Sequence, residues 1–381
     1  MTMPIASALK RTPLHAMHRS LKAKMVDFGG WEMPVEYPAD GGGLIAEHMA
    51  VRTSVGLFDV SHMGEIQFRG PGSLDAIQRL TMNDAALLSN DQAQYTALLT
   101  PQGTFVDDVL VHRLSPNDYL LVVNASNTEK DLAWIRSQTQ GMPGIHINDY
   151  SSYYAQLALQ GPRALATLQK LTMVNLEGIK NYWFYWGTVA GVNDVLIART
   201  GYSGEDGFEL YLPADTPTVE KVWNELMKAG ADEGIRPCGL GARNTLRLEA
   251  GMSLYGHEIS DSINVLEAGL THWLKLDKGE FIGQAALAEL MGNPTRRLVG
   301  LEMVERGIAR DGYAVVNEAG ESIGSVTSGS PAPYLQKNIA LALVPAAVAG
   351  AGCDVWVEVR GNRVRAKQVP VPFYRRRKKS A

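Results

Sequence analysis

The chain has 381 residues, 45% hydrophobic and 20% charged, a balance that is typical of a folded protein of two or three domains. Its 36 basic and 40 acidic residues leave a net charge of −4, which argues against binding to nucleic acid through a broad basic surface. No stretch reaches the roughly 20 apolar residues that a membrane-spanning helix needs.

The cysteines and histidines exclude several further classes. Cys238 and Cys353 are too few for a disulfide framework or a cysteine-rich zinc site. The eight histidines show no HxxxH or HExxH spacing, so we predict no metal site. We interpret His62 as a hydrogen-bonded turn histidine rather than a base. Residues 1–24 lack the apolar core of a secretory signal, so we expect a cytoplasmic protein. The charge balance and the lack of a long apolar stretch lead us to expect no nucleic-acid or membrane partner.

An internal repeat organises the first 230 or so residues. GPGSLDAIQRLTM (70–82) and GPRALATLQKLTM (161–173) share seven of thirteen positions, and VDDVLVHR (106–113) shares five of eight with VNDVLIAR (192–199). In both copies an apolar run precedes Gly-Pro, and leucines or isoleucines then recur every three residues, which predicts strand, turn and helix. A further strand and helix follow in each copy. The repeat therefore predicts two related α+β units in tandem.

The last part of the chain has a different pattern. Short apolar runs alternate there with turn residues, a spacing that is typical of a small antiparallel β-barrel or sandwich. The predicted strands are Leu298–Met303, Ala314–Val316, Ser322–Val326, Ile339–Leu343, Asp354–Val359 and Arg363–Val369. The chain closes with a strongly basic tail, Arg375–Lys379.

Two adjacent carboxylates, Asp107 and Asp108, lie in a predicted strand (106–111). Side chains alternate between the faces of a strand, so the two should not act as one close dyad. Asp108 shares its predicted face with Val106, Leu110 and His112. One interpretation is an aspartate solvated at the edge of a sheet. The other is a carboxylate directed into a pocket, where it accepts a hydrogen bond from a ring N–H.

The run Arg199–Glu209 contains three glycines, which permit a compact turn. Tyr202 supplies a flat ring with a polar tip. Glu209 lies in the following strand, so of the acidic residues here its direction should be the most firmly fixed. It is either part of an ordinary acidic loop between strands or an acceptor for the N–H groups of a bound ligand.

A third candidate, Cys238–Ala250, places two glycines before a predicted helix. The pattern lacks the third glycine of a dinucleotide site and the lysine of a P-loop. Arg243 and Arg247 are four residues apart and so fall on one helical face. Arg243 either pairs with a ligand carboxylate or forms a structural salt bridge, to Glu249 or to a neighbouring strand.

Together these segments resemble the T-protein (aminomethyltransferase) family of the glycine cleavage system. Each motif is weak alone, but their order from residue 11 to 374 is specific. The motifs are Arg11–Leu14, Lys24–Pro34, Phe58–Glu65, Val106–Val109, Val122–Asn127, Arg199–Gly207, Gly239–Arg243, Leu246–Met252, Ile323–Gly329 and Pro372–Tyr374.

The resemblance implies an α+β, multidomain fold in a three-domain cloverleaf arrangement that holds folate in a central channel. Two related α+β units would form the folate-binding core, and a C-terminal antiparallel β-barrel would complete it. We expect one core domain at 1–50 with 145–280, the other at 51–144, and the barrel at 290–381.

The same resemblance implies the residues of the site. Asp108 would face the reactive edge of the pterin as the catalytic residue. The folate-binding positions would be Met63, Tyr95, Asn124, Tyr182, Tyr202, Glu209 and Arg243. Two residues depart from the family pattern, His112 in place of tyrosine and Asn244 in place of aspartate. The first would alter polarity or pH response near the pocket, and the second would loosen the support of Arg243.

The implied reaction transfers the methylene of an aminomethyl group, carried on the dihydrolipoyl arm of the H-protein, to tetrahydrofolate with release of ammonia. No metal is implied. A folate-dependent demethylase and a non-catalytic folate-binding assembly factor are the alternatives. The folate domain of a sarcosine-type oxidase is disfavoured because no GxGxxG flavin domain precedes the motifs. The assembly factor is disfavoured because Asp108 is present and the lysine-glycine-cysteine signature of that branch is absent.

Overall fold

The computed structural model describes residues 8–39 and 41–376. Its α-helices, in chain order, are α1 (His15–Ser20), α2 (Leu44–Thr53), α3 (Ser73–Leu80), α4 (Thr128–Gln138), α5 (Ala164–Gln169), α6 (Thr216–Ala229), α7 (Leu240–Glu249) and α8 (Gln284–Leu290). Among the described residues, no helix combines the length and apolar character needed to cross a membrane.

The strands up to the end of the repeat region are β1 (Lys24–Phe28), β2 (Trp31–Glu36), β3 (Val55–Asp59), β4 (Gly64–Arg69), β5 (Gln92–Leu99), β6 (Phe105–Ser115), β7 (Asp118–Val123), β8 (His146–Asp149), β9 (Tyr154–Gln160), β10 (Phe184–Val189), β11 (Val192–Ala198), β12 (Gly207–Pro213) and β13 (Ile235–Cys238). The C-terminal strands are β14 (Arg296–Met303), β15 (Ala314–Val316), β16 (Ser322–Ala332), β17 (Lys337–Pro345), β18 (Asp354–Val359) and β19 (Asn362–Val369).

The chain divides into two compact units. The first comprises Met1–Met63, Tyr150–Gly201 and Asp206–Arg243. The second comprises Gly64–Asp149, Tyr202–Glu205 and Asn244–Ala381. The predicted boundaries of three domains stay a prediction.

The first unit contains a six-stranded sheet in the order β10-β11-β12-β9-β3-β13 and the hairpin β1-β2. Neighbouring strands of the large sheet are antiparallel except β13, which runs parallel to β3. The core of this unit packs α5 and α6 on the sheet, with Leu168 and Trp223 fully buried. Burial of this apolar surface is the main force that holds helix to sheet.

Helix α6 shows how local sequence sets its bounds. Asp215 caps it by accepting a hydrogen bond from the backbone N–H of Thr218 at 3.0 Å, and a proline occupies the first turn. Val219, Val222 and Leu226 follow at helical spacing and are buried. This helix is the one that the second copy of the repeat predicts after its further strand.

The second unit contains a five-stranded sheet in the order β5-β6-β7-β4-β8. Its order confirms the repeat, because β5-β6-β7-β4 and β10-β11-β12-β9 place corresponding strands in corresponding positions. The Gly-Pro turn after the first strand recurs in both copies with a positive φ, 121° at Gly70 and 131° at Gly161. A Cβ atom at either position would lie within 2.6 Å of a backbone oxygen, so only glycine fits.

The C-terminal strands close into a barrel in the order β14-β17-β16-β15-β18-β19, and pairing of β14 with β19 completes the ring. All its strand pairs are antiparallel. The alternatives of barrel and sandwich are thus resolved in favour of the barrel. The six predicted strands lie within the observed ones, and β15 and β18 match residue for residue.

Candidate active site

Two adjacent carboxylates occupy the interior of the second unit's sheet. Their strand β6 lies between β5 and β7, but opposite the two aspartates it pairs only with β5, and its pairing with β7 begins at Leu110. Both carboxylates accept hydrogen bonds from protein groups, so the interpretation of an aspartate simply solvated at a sheet edge is wrong. Asp107 is fully buried and Asp108 is half-buried, which agrees with the prediction that their side chains lie on opposite faces of the strand. Asp107 accepts hydrogen bonds from the backbone N–H of Asn124 (2.9 Å), from its side-chain amide (2.8 Å) and from the Asn127 amide (2.6 Å).

Two of the residues that are predicted to share a site with Asp108 donate hydrogen bonds to its carboxylate. The Tyr95 hydroxyl donates to Asp108 Oδ2 at 3.0 Å, and the Asn124 amide donates to Asp108 Oδ1 at 2.8 Å. Burial, followed by the charge of Asp107, raises the pKa of Asp108 to about 7, although the Asn124 and Tyr95 donors oppose the shift. Asp108 therefore titrates near neutral pH.

The Asn124 amide joins the two carboxylates. Its nitrogen contacts Asp107 Oδ1 and Asp108 Oδ1, each at 2.8 Å. Alternation separates the two side chains by face, but it does not make them independent, because they share a donor and the charge of one shifts the pKa of the other. The expectation that the two carboxylates do not act as one close dyad must therefore include this shared donor and this electrostatic coupling.

His112 lies four residues after Asp108 on β6 and is fully buried. Burial lowers its pKa to about 4, so its imidazole carries no charge at neutral pH. Its presence in place of a tyrosine adds no titration near the pH at which Asp108 titrates.

A second group of predicted residues lies in the first unit, around Glu209. This carboxyl is buried in β12, which pairs with β9 and β11, and it accepts a hydrogen bond from the Thr200 hydroxyl. Burial raises its pKa, while bonds from Thr200 and Gln156 and the charge of Arg243 oppose the shift. Burial and the Glu209 charge likewise raise the pKa of Tyr182. Three predicted residues, Tyr182, Glu209 and Arg243, are thus brought within electrostatic reach of one another. Thr200 and Gln156 were not predicted.

His62 joins the same group. It is 2% exposed, its ring meets that of Phe28 edge to face at 5.5 Å, and its Nδ1 has no hydrogen-bond partner among the described residues. Burial and the charge of Arg243 lower its pKa to about 4 against the opposing charge of Asp59. The interpretation of a turn histidine held by hydrogen bonds is therefore wrong for Nδ1. The adjacent Met63 is half-buried, and its N–H donates to Val60 at 3.1 Å.

The glycine-rich run forms the compact turn that its composition predicts. Gly207 packs against β9, where a Cβ atom would lie 2.4 Å from the Leu159 carbonyl oxygen. Asp206 is held by Arg199 through two hydrogen bonds of 2.6 and 2.9 Å, which makes it a structural anchor. In the second unit, the Tyr202 hydroxyl donates to the carbonyl of Ser253.

The two arginines of α7 have different environments. Arg247 is buried and forms a 2.7 Å ion pair with Glu258, with further bonds to Ser328 and Asn244. Arg247 is thus the structural arginine, while half-buried Arg243 acts electrostatically on the Glu209 group. The Asn244 oxygen accepts a hydrogen bond from Arg247 at 2.9 Å, so replacement of the usual aspartate bears on Arg247. The expected effect on Arg243 stays a prediction.

Across residues 8–39 and 41–376, no group of three or more His, Cys, Asp or Glu residues is arranged to hold a metal ion. The two groups described above consist of carboxylates, amides, phenols, one aliphatic hydroxyl, one imidazole and one guanidinium. Such groups can orient a heterocycle with N–H donors and stabilise positive charge.

Two family models match this chain. The GCVT N-terminal domain covers residues 14–278, and the glycine cleavage T-protein C-terminal barrel domain covers residues 296–375. The chain belongs to the glycine cleavage T-protein family. This confirms the resemblance that the ordered motifs indicate.

Relatives in the T-protein family match over the full length. An aminomethyltransferase of Acidobacterium capsulatum is 62% identical over 383 residues, and one of Koribacter versatilis is 55% identical over 382 residues, with 100% of both chains covered in each case. Among solved structures, the glycine cleavage system aminomethyltransferase T from Bartonella henselae shares 33% identity and a TM-score of 0.88, covering 96% of this chain and 98% of that one. The predicted fold class and enzyme class, an aminomethyltransferase, are confirmed.

Proposed function

We propose that this T-protein family member transfers the methylene of an aminomethyl group from the dihydrolipoyl arm of the H-protein to tetrahydrofolate. The carbon–nitrogen bond to the leaving amine and the carbon–sulfur bond break, and two bonds form from the carbon to folate nitrogens. Tetrahydrofolate loses two N–H protons in this reaction. The leaving ammonia and the lipoyl thiol each gain one proton, so the step balances. The observation that carries the proposal is the environment of Asp108.

Asp108 is suited to stabilise the cationic carbon and nitrogen centres that develop during this transfer. The carboxylate is held by the Tyr95 hydroxyl and the Asn124 amide, so it needs little reorganisation when charge appears. Partial burial strengthens its interaction with a cation relative to bulk water. Because its pKa is raised to about 7, the carboxylate form is present at and above neutral pH.

The Glu209 group supports the proposal that this part of the chain binds the folate. A buried carboxylate accepts hydrogen bonds from amino and ring N–H groups of a pterin, and Arg243 supplies a charge suited to an anionic group. Tyr182, Tyr202 and Met63 would provide apolar and aromatic surface for the ring. We assign these contacts by resemblance together with burial and chemistry, and binding measurements on single variants test each one.

The proposed protein partner is the lipoylated H-protein. Arg375 and Arg376 begin the basic tail, whereas Arg377–Lys379 lie outside the described residues. On a chain of net charge −4, this cluster would steer an acidic carrier protein. Both described cysteines are free thiols, which supports the proposal of a reducing, cytoplasmic location.

One assay separates the proposed function from its alternatives. Aminomethylated H-protein should release ammonia rapidly with tetrahydrofolate and the enzyme, and slowly without either. A demethylase would leave this substrate intact while forming a folate adduct from a small methylated donor. An assembly factor would bind folate with no turnover of either substrate. Either of these results would refute the proposal.

A further inference from the structure

A third carboxyl group lies behind the Asp107–Asp108 pair. Asp131, in the first turn of α4, is 0% exposed. Among the described residues, no N–H or other conventional donor reaches either of its oxygens. The nearest charged group is the carboxyl of Asp107, which lies within hydrogen-bonding reach of it. A hydrogen bond between two carboxyl groups requires a proton on one of them.

The environment decides which carboxyl carries that proton. Asp107 accepts three amide N–H bonds of 2.6–2.9 Å, and donors of this kind stabilise an anion. Asp131 has no such donors, so an ionised Asp131 would be a buried charge without compensation. Burial, followed by the Asp107 charge, raises the pKa of Asp131 to about 10, against the weaker opposing effect of Lys130. The proton therefore resides on Asp131.

We propose that Asp131 is a positioning residue for Asp108: its protonated carboxyl donates to Asp107, and Asp107 in turn fixes the Asn124 amide that donates to Asp108. This inference rests on the proposed function of Asp108. It assigns a role to a buried acid that touches neither the reacting atoms nor Asp108 directly.

The charges around Asp131 favour a state in which Asp107 is ionised and Asp131 is neutral. The charged groups that act on Asp131 are Asp107 and Asp108 on β6 and Lys130 on α4 itself, and α4 also packs on β4, which carries the buried Glu65. Lys130 donates to the Val106 carbonyl at 2.6 Å and lies over the Tyr255 ring, and the shift of Glu65 arises from burial and Asp149. A second anion at Asp131 would keep Asp108 protonated well above neutral pH. A neutral Asp131 allows Asp108 to ionise near pH 7.

The first test locates the proton without any activity measurement. Infrared difference spectra of wild type minus Asp131→Asn, both folded at pH 8, should show loss of a protonated carboxyl C=O band. Loss of carboxylate bands instead would mean that Asp131 is ionised, and the proposal would be overturned. This result is independent of whether Asp108 acts as proposed.

The second test uses the donor. Asn at position 131 keeps an N–H donor towards Asp107, so turnover in Asp131→Asn should stay within about threefold of wild type. Asp131→Ala removes the donor, so turnover should fall about tenfold, the scale of one hydrogen bond. The acidic limb of the pH profile should move to higher pH because the full Asp107 charge then acts on Asp108. The KM for tetrahydrofolate should not change.

Exposed Glu129 in the same turn of α4 provides the matched control. Glu129→Ala should match wild type in turnover and pH profile. Equal loss in Asp131→Asn and Asp131→Ala, or an unchanged pH profile in a folded Asp131→Ala, would overturn the positioning role. If Asp108→Asn retained full turnover, the proposed function of Asp108 would fail, whereas the infrared result would still locate the proton.

Discussion

Replacement of Asp108 by asparagine tests the central part of the mechanism. The change keeps the size of the side chain and an oxygen to accept from Tyr95 or Asn124, but it removes the charge. Loss of one preorganised electrostatic contact typically costs about 2.7–4 kcal/mol in the transition state, or about 10²–10³-fold in rate. Turnover of Asp108→Asn should fall by this factor. Binding of tetrahydrofolate should change much less, because the positive charge develops mainly during transfer.

The assay is single-turnover formation of methylene-tetrahydrofolate from aminomethylated H-protein, with folate affinity measured separately by calorimetry. The repeat supplies a matched control. Asp194 occupies the position of Asp108 in the second copy, but it is exposed and has a positive φ of 55°, which asparagine also adopts readily. Asp194→Asn should therefore retain wild-type turnover and stability.

The pH dependence gives an independent check. The pKa of Asp108 is raised from 3.8 to about 7, so the wild-type rate should decline below pH 7 as the carboxylate is protonated. Because the folded pKa lies above the unfolded one, its stabilising contribution is complete below pH 4 and is lost as the pH rises through 7. Asp108→Asn should thus melt at a higher temperature than wild type at pH 8 and at a similar temperature near pH 4. Near-normal turnover in a folded Asp108→Asn would refute the electrostatic role.

Three further predictions concern the remaining groups. Glu209→Ala should weaken tetrahydrofolate binding about 10–100-fold, from loss of a charge-assisted hydrogen bond of about 1.5–3 kcal/mol, and unchanged calorimetric affinity in a folded variant would remove Glu209 from the site. Arg243→Ala should weaken folate binding with little change in melting temperature. Arg247→Met should lower the free energy of unfolding by about 3–5 kcal/mol, because it leaves the buried Glu258 carboxylate without its cationic partner. The reverse pattern would contradict the two roles. Deletion of 375–381 should slow association with the H-protein most at low salt, since exposed charges are screened over about 10 Å at 0.1 M, and equal rates at every ionic strength would exclude steering.

Much of the architecture follows from local pattern in the sequence. The repeated Gly-Pro motif, with Leu74, Ile77 and Leu80 at helical spacing, predicts the strand and helix that both copies form. Alternating runs predict all six barrel strands, and β15 and β18 agree at both ends. These elements are predictable because turn chemistry and amphipathic period act over a few residues, and the sequence contains both. The order of the motifs likewise determines the family.

The chemistry of individual side chains depends on contacts that the sequence does not encode locally. Strand alternation predicts that Asp107 and Asp108 lie on opposite faces, but only the position of Asn124, directly after β7, shows that one amide joins them. A helical spacing of four treats Arg243 and Arg247 alike, while the distant Glu258 assigns the structural ion pair to Arg247. Pairing of β14 with β19 decides between barrel and sandwich.

Asp131 shows the same limit most clearly. In the sequence it is a charged residue in the first turn of a helix, where an exposed carboxylate would be ordinary. Packing of α4 against the sheet instead buries it beside Asp107, and burial together with a neighbouring anion changes its protonation state. Protonation is a property of the local dielectric and of nearby charges, and both arise only when segments distant in the chain are packed together.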